Sequence, residues 1–178
     1  MIYFTSDQHF GHRNIIRFCN RPFFSAGEMD TTLIRLWNEK VKKEDDTVYI
    51  LGDLMYRNEN PPEYYLSQLK GKKHLILGNH DESWIGKVDL TDWFESVSEF
   101  CTFSDGQHRI TACHYPMLAW PDEFYMLFGH IHNNIDSDIW PYIKASEKLL
   151  NVGVDINGFA PASFEELIEN NKRFKEAH

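Results

Sequence analysis

Positive charge is scarce in this sequence. Only 18 lysines and arginines stand against 27 aspartates and glutamates, a net charge of -9 at pH 7. A chain of that sign argues against tight, sequence-blind binding to nucleic acid, which depends on lysine and arginine neutralising phosphates. Position sharpens the point. Lys42 and Lys43 precede one strand-like run, and Lys70, Lys72 and Lys73 precede another. Parallel strands would gather these lysines at one rim, leaving Arg13, Arg17, Arg21 and Arg57 to meet an anion at the other. Cysteine is equally sparse. Cys19, Cys101 and Cys113 are too few and too scattered for a disulfide framework or a thiolate metal site, so buried free thiols are expected. That usage fits a reducing, cytoplasmic setting. No apolar run reaches the roughly 20 residues needed to span a bilayer. The first strand-like run starts at once, with neither the basic start nor the cleavage pattern of a signal peptide, so no membrane association is expected.

What the chain does have is a set of apolar runs with polar ends. At 178 residues, 42% of them hydrophobic, it is long enough to bury one core, and a single domain over 1–178 is expected. The organising stretch is Leu75-Ile-Leu-Gly-Asn-His-Asp81, a short buried-strand pattern that stops at a glycine followed by three polar side chains. Gly78 is expected to let the chain turn with no Cβ in the way, so that Asn79, His80 and Asp81 emerge together at the strand's carboxyl end, where open α/β sheets bind ligands. Four further runs end the same way. The first leads to Asp7 and His9, the others to Asp53, to His114, and to His130 and His132.

Between the runs lie helix signals. Ser25 and Glu28 have capping-box spacing, and Met29, Leu33, Leu36, Trp37 and Val41 then recur at helical period. Asn60 followed by Pro61 reads as a cap and first position of another helix, ended by Gly71. Up to Asp81 the order is β-α-β-α-β, the pattern of a parallel sheet. Residues 84–94 carry no consistent period. Residues 96–103 and 107–113 read as a hairpin about Asp105-Gly106, which suits a two-residue turn. A last strand candidate starts at Leu149, and Ser163 with Glu166 opens a C-terminal helix. The order predicts an α/β fold, a two-sheet mixed β-sandwich flanked by helices.

The polar ends hold carboxylate and amide oxygens and imidazoles, without thiolate, serine or cysteine. Such donors suit manganese, iron or zinc, and they are more numerous than one ion needs. Asp7 and His9, like His130 and His132, stand two residues apart, which in extended chain puts both side chains on one side. A carboxylate such as Asp53 can bridge two ions about 3.5–4 Å apart.

Asp7-x-His9, Gly52-Asp53, Gly78-Asn-His-Asp81, the lone His114 and Gly129-His-x-His132, in this order, resemble the five motifs of the calcineurin-like metallophosphoesterases. The likeness is closest to small bacterial and phage members, which share a start like Phe4 to His12 and a tail like Asn151 to Asp155. It implies the four-layer α/β/β/α fold of that superfamily and two divalent ions, manganese first, with iron, zinc, nickel or magnesium as alternatives. Asp7, His9, Asp53 and His132 would hold one ion and Asp53, Asn79, His114 and His130 the other. A hydroxide between the ions would attack phosphorus, His80 would assist the leaving group and Asp81 would orient His80. Arg57 stands where related protein phosphatases place a phosphate-binding arginine, but Tyr56 replaces the aspartate that there partners the catalytic histidine. Arg57 and His12 are the candidates to touch substrate. The expected partner is a small phosphorylated compound of nucleotide type; the alternative is a non-catalytic scaffold that uses the sandwich for interaction.

Overall fold

A computed structural model of the protein describes residues 1–57 and 59–178. The chain runs β1 (Ile2–Thr5), α1 (Arg13–Phe18), α2 (Ala26–Lys40), β2 (Thr47–Ile50), α3 (Pro62–Leu66), β3 (Lys72–Ile76), β4 (Ser96–Ser98), β5 (Phe100–Ser104), β6 (Arg109–Cys113), β7 (Tyr125–Phe128), α4 (Trp140–Ala145), β8 (Leu149–Asn151) and α5 (Phe164–Ala177). Strands β1 to β4 form one parallel sheet in sequence order. Strands β5 to β8 form the other, with β5 antiparallel to β6 and the remaining pairs parallel. This is the α/β two-sheet sandwich the element order predicts. No described helix is long and apolar enough to cross a membrane.

Alternation along the strands builds the layers. Tyr3, Val48, Ile50 and Leu75 point to the outer face of the first sheet, where Met29, Leu33 and Trp37 of α2 cover them. Their neighbours Phe4, Leu51 and Ile76 point inward, onto Ile110, Ala112, Leu127 and Leu150 of the second sheet. Met126, Phe128 and Leu149 face out again, beneath Trp140 and Ile143 of α4 and Phe174 of α5. Each such aliphatic or aromatic side chain contributes roughly 1.5–3 kcal/mol on burial, so the alternation fixes which face of each strand is inside.

Several local expectations are corrected. Ser25 does cap α2, accepting the Glu28 N–H, but the Glu28 carboxylate takes the Phe24 N–H, so the box is incomplete. Ser163 and Glu166 form the complete reciprocal pair. Helix α3 starts one residue late, with Pro61 rather than Asn60 at its cap. The run 96–103 breaks at Glu99: β4 joins the first sheet and β5 the second, so one extended segment crosses between layers. In the β5–β6 hairpin, Ser104 pairs with Arg109, leaving four residues in the turn rather than two. Residues 84–94 hold two short 3-10 turns, Ile85–Lys87 and Leu90–Asp92, which have no helical period to read. Helix α4 went unforeseen because six residues are too short to show one.

Candidate metal centre at the strand ends

The backbone at the strand ends is curled. Among the described residues, eight other than glycine have φ between 50° and 69°, and five of them are Asp7, His9, Asp53, His130 and His132. The left-handed region is costly for side-chain-bearing residues, least so for Asp, Asn and His, and such strain gathers at functional sites. The expected extended geometry of the Asp7/His9 and His130/His132 pairs is therefore wrong. Their side chains converge because the chain turns at each of them. Close backbone approach supports the curl. A Cβ on Gly52, which has φ +82°, would lie 2.5 Å from Gly78 N and 2.7 Å from His114 Nδ1. Gly78 itself is glycine for clearance, since a Cβ there would lie 2.7 Å from Asp53 N.

Asp53 is the hub. Its Oδ2 lies 3.5 Å from His9 Nε2, 3.5 Å from His114 Nε2 and 3.9 Å from His80 Nε2, while Oδ1 accepts the His80 N–H. On one side, Asp7 Oδ1 lies 4.0 Å from His9 Nε2 and 3.9 Å from His132 Nε2. Donor atoms of Asp7, His9 and His132 lie within 4.8 Å of one another, as do those of Asp7, Asp53 and His114. On the other side, Asn79 Oδ1 lies 3.2 Å from His114 Nε2 and 3.1 Å from His130 Nδ1.

The electrostatics divide the imidazoles. Burial holds His9 well below its ordinary value, helped by the nearby His132 and Arg21 charges, and its Nε2 is buried with no hydrogen-bond partner. A buried polar atom left bare beside two carboxylates is a donor awaiting a cation. This set of oxygens and imidazoles fits one or more divalent ions. Burial also pulls at His114, but its hydrogen bond to Asp53 and the charge of Asp7 prevail and hold it up at about 9. For His132, burial is overcome by Asp7 and by the Asp155 hydrogen bond, which raise it to about 11.

These directions set a pH dependence. A raised imidazole is protonated at pH 7 when no metal is bound, and a ligand must be neutral, so metal binding expels protons. Calorimetry in buffers of different ionisation heat is expected to show release of about two protons at pH 7, falling as pH passes 9, with affinity rising over that span. Binding without proton release would contradict the pairing of these two imidazoles with carboxylates.

Asp155 supplies support that was not assigned from the sequence. Its Oδ2 lies 2.8 Å from His132 Nδ1, and both its oxygens accept from Arg21, at 2.8 and 3.0 Å. Arg21 also donates to the carbonyls of Asp7 and Gln8. It is buried and fully engaged, so its expected availability to an anion is corrected. The signal for Asp155 was present: the run from Leu149 also ends in an aspartate. Replacing Asp155 by asparagine is expected to weaken metal affinity about 10–100-fold, the usual cost of losing a histidine's outer partner. Titration of the variant with manganese measures this; unchanged affinity would show that packing alone fixes the His132 ring.

Asp81 does not orient His80. It is wholly buried, and its carboxylate accepts N–H bonds from Gly78, Asp53, Leu54 and the Trp84 indole. These take up its accepting positions, so its part is to clamp the loops that carry Asp53 and Asn79. The His80 ring instead packs against Tyr56, with centroids 4.2 Å apart. His80 is 33% exposed and lines a cavity of about 910 Å³ together with His12, Tyr56 and Arg57. His12 Nδ1 lies 3.3 Å from His9 Nδ1, and burial, then the His80 charge, lowers His12 to about 4. The Arg57 guanidinium sits over the Tyr56 ring at 5.0 Å.

A two-sheet sandwich carrying a histidine, carboxylate and amide cluster at its strand ends defines a class, the metallophosphoesterases. The chain belongs to the calcineurin-like phosphoesterase family, whose profile matches residues 1–156. It is 34% identical to an uncharacterised protein of Methanocaldococcus jannaschii, over 96% of this chain and 93% of that one. It is also 40% identical to the gene 66 protein of Mycobacterium phage L5, over 44% of this chain and 39% of that one. Among solved structures, a protein of unknown function from Aquifex aeolicus superposes with a TM-score of 0.71 at 27% identity, covering 95% of this chain and 98% of the other.

Proposed function

We propose that the protein hydrolyses phosphate esters of small, nucleotide-type substrates with two divalent ions at the strand ends. Asp7, His9, Asp53 and His132 would hold one ion and Asp53, Asn79, His114 and His130 the other. The observation that carries this reading is the central Asp53 Oδ2, equidistant at 3.5 Å from His9 of one group and His114 of the other. Manganese is the proposed ion; iron, zinc, nickel and magnesium suit the same donors. When bound, such a pair offsets phosphate charge and draws a nucleophile from water near neutral pH.

The chain's own residues do the rest. One P–O ester bond breaks, the oxygen of water joins phosphorus as it gives up a proton to solvent, and the departing oxygen takes a proton from His80, whose ring faces the open cavity and regains its proton from solvent. Tyr56 and His12 pack about that ring and limit its swing. Arg57 lines the same cavity, and its guanidinium fork matches two phosphate oxygens. The test is turnover of p-nitrophenyl phosphate mono- and diesters by metal-stripped protein before and after manganese is added. Manganese-dependent nitrophenol release is expected; none with either ester would overturn the reading.

A further inference from the structure

A second cavity, of about 850 Å³, opens on the other side of Asn79. It lies between the end of β3, the start of β5 and the segment after β6, and shares Tyr115 with the first cavity. Tyr115 is 45% exposed and donates its hydroxyl to Asn79 Oδ1 at 3.5 Å, so the two cavities meet over the metal-ligand cluster. Their chemistry differs. The first holds Arg57 and the histidines. The second is walled by Leu77, Ile85, Phe100 and Met117, is rimmed by the exposed carboxylates of Glu82 and Glu99, and has no lysine or arginine among its described lining residues.

We propose that this second cavity is the subsite for the retained arm of a phosphodiester, and that the arm it takes is an uncharged aromatic group. The inference rests on the phosphoester reading above and adds the substrate class to it. His80 faces the first cavity, so the oxygen it protonates departs on that side. A substituent that stays on phosphorus must leave the cluster elsewhere, and the opening at Asn79 is continuous with it. The half-exposed rings of Phe100 and Tyr115 give such an arm aromatic surface to stack on. Glu82 and Glu99 repel an arm that carries a second anionic group. A monoester leaves this cavity unfilled.

The test uses manganese-loaded protein and p-nitrophenyl phosphodiesters whose retained arm is methyl, phenyl or para-carboxyphenyl. The phenyl ester is expected to exceed the methyl ester in kcat/KM by about tenfold, the scale of one aromatic contact. The carboxyphenyl ester falls several-fold below phenyl, and the double variant Glu82→Gln, Glu99→Gln removes that penalty. Phe100→Ala brings the phenyl-to-methyl ratio towards one, whereas Phe24→Ala, at a fully exposed phenylalanine lining neither cavity, keeps it. Turnover with a flat ratio in the wild-type protein, or a ratio unmoved by Phe100→Ala, overturns this proposal alone. No metal-dependent turnover of any ester overturns it together with the parent reading.

Discussion

Exchanging Asp53 for asparagine is expected to lower manganese-dependent hydrolysis on the order of 10³-fold, the scale of removing a preorganised electrostatic group from a reacting centre. The substitution keeps the size of the side chain and leaves Oδ1 to accept the His80 N–H, so the fold should persist. What it removes is charge and an acceptor at the one atom that faces both His9 and His114. An amide nitrogen there would present hydrogens where a cation should lie. On the proposed two-ion reading, metal content is expected to fall to one ion or none, read by elemental analysis beside kcat. A variant that kept both ions and full turnover would move the bridging role to another residue. Asp7, whose atoms group with His9 and His132 as well as with Asp53 and His114, would then be next in line.

The second large effect is on stability. Replacing Asp81 by alanine is expected to cost about 4 kcal/mol or more, because buried N–H groups left without acceptors each forfeit roughly 1–3 kcal/mol. Those groups are the backbone N–H of Gly78, Asp53 and Leu54, at 2.8, 2.9 and 3.0 Å, and the Trp84 indole at 2.8 Å. The loss is a large share of the roughly 5–15 kcal/mol that holds an ordinary domain folded. Urea unfolding of metal-free protein measures it without interference from activity. A midpoint equal to that of the wild type would show that solvent replaces the carboxylate, and the clamp role would fall. A role confined to orienting His80 predicts the opposite pattern, with normal stability and weakened catalysis.

Much of the site could be read from the sequence because its signal is local. Each of Asp7, Asp53, Asn79, His114 and His130 closes an apolar run, and a buried run that ends in such a residue announces where a strand delivers its side chains. The fold was legible for the same reason, since alternate residues such as Tyr3 and Phe4 divide between opposite faces of one sheet. What escaped reading is set by partners distant in sequence. The carboxylate of Asp155 and the guanidinium of Arg21 are 134 positions apart, and although the run from Leu149 ends in Asp155, nothing near it names Arg21 as its partner. Asp81 looked like a companion to its neighbour His80, yet its hydrogen bonds reach back to the β2 end. The switch of sheets at Glu99 left no trace because an extended segment has the same period in either layer.

The left-handed turns at Asp7, His9, Asp53, His130 and His132 carry a consequence for anyone wishing to harden this molecule against heat. Glycine at any one of them would relax the backbone by roughly 1 kcal/mol, but at Asp7 and Asp53 it would also strip the acceptor from the His130 and His80 N–H groups, a larger loss. Among the described residues Asn20, Arg57 and Phe159 carry the same strain outside the cluster, so relaxation at the strand ends is the route that would also remove proposed ion ligands. The exposed His130 is the position where the exchange would be cheapest, and a cousin found with glycine there would have traded a proposed ion ligand for a less strained backbone.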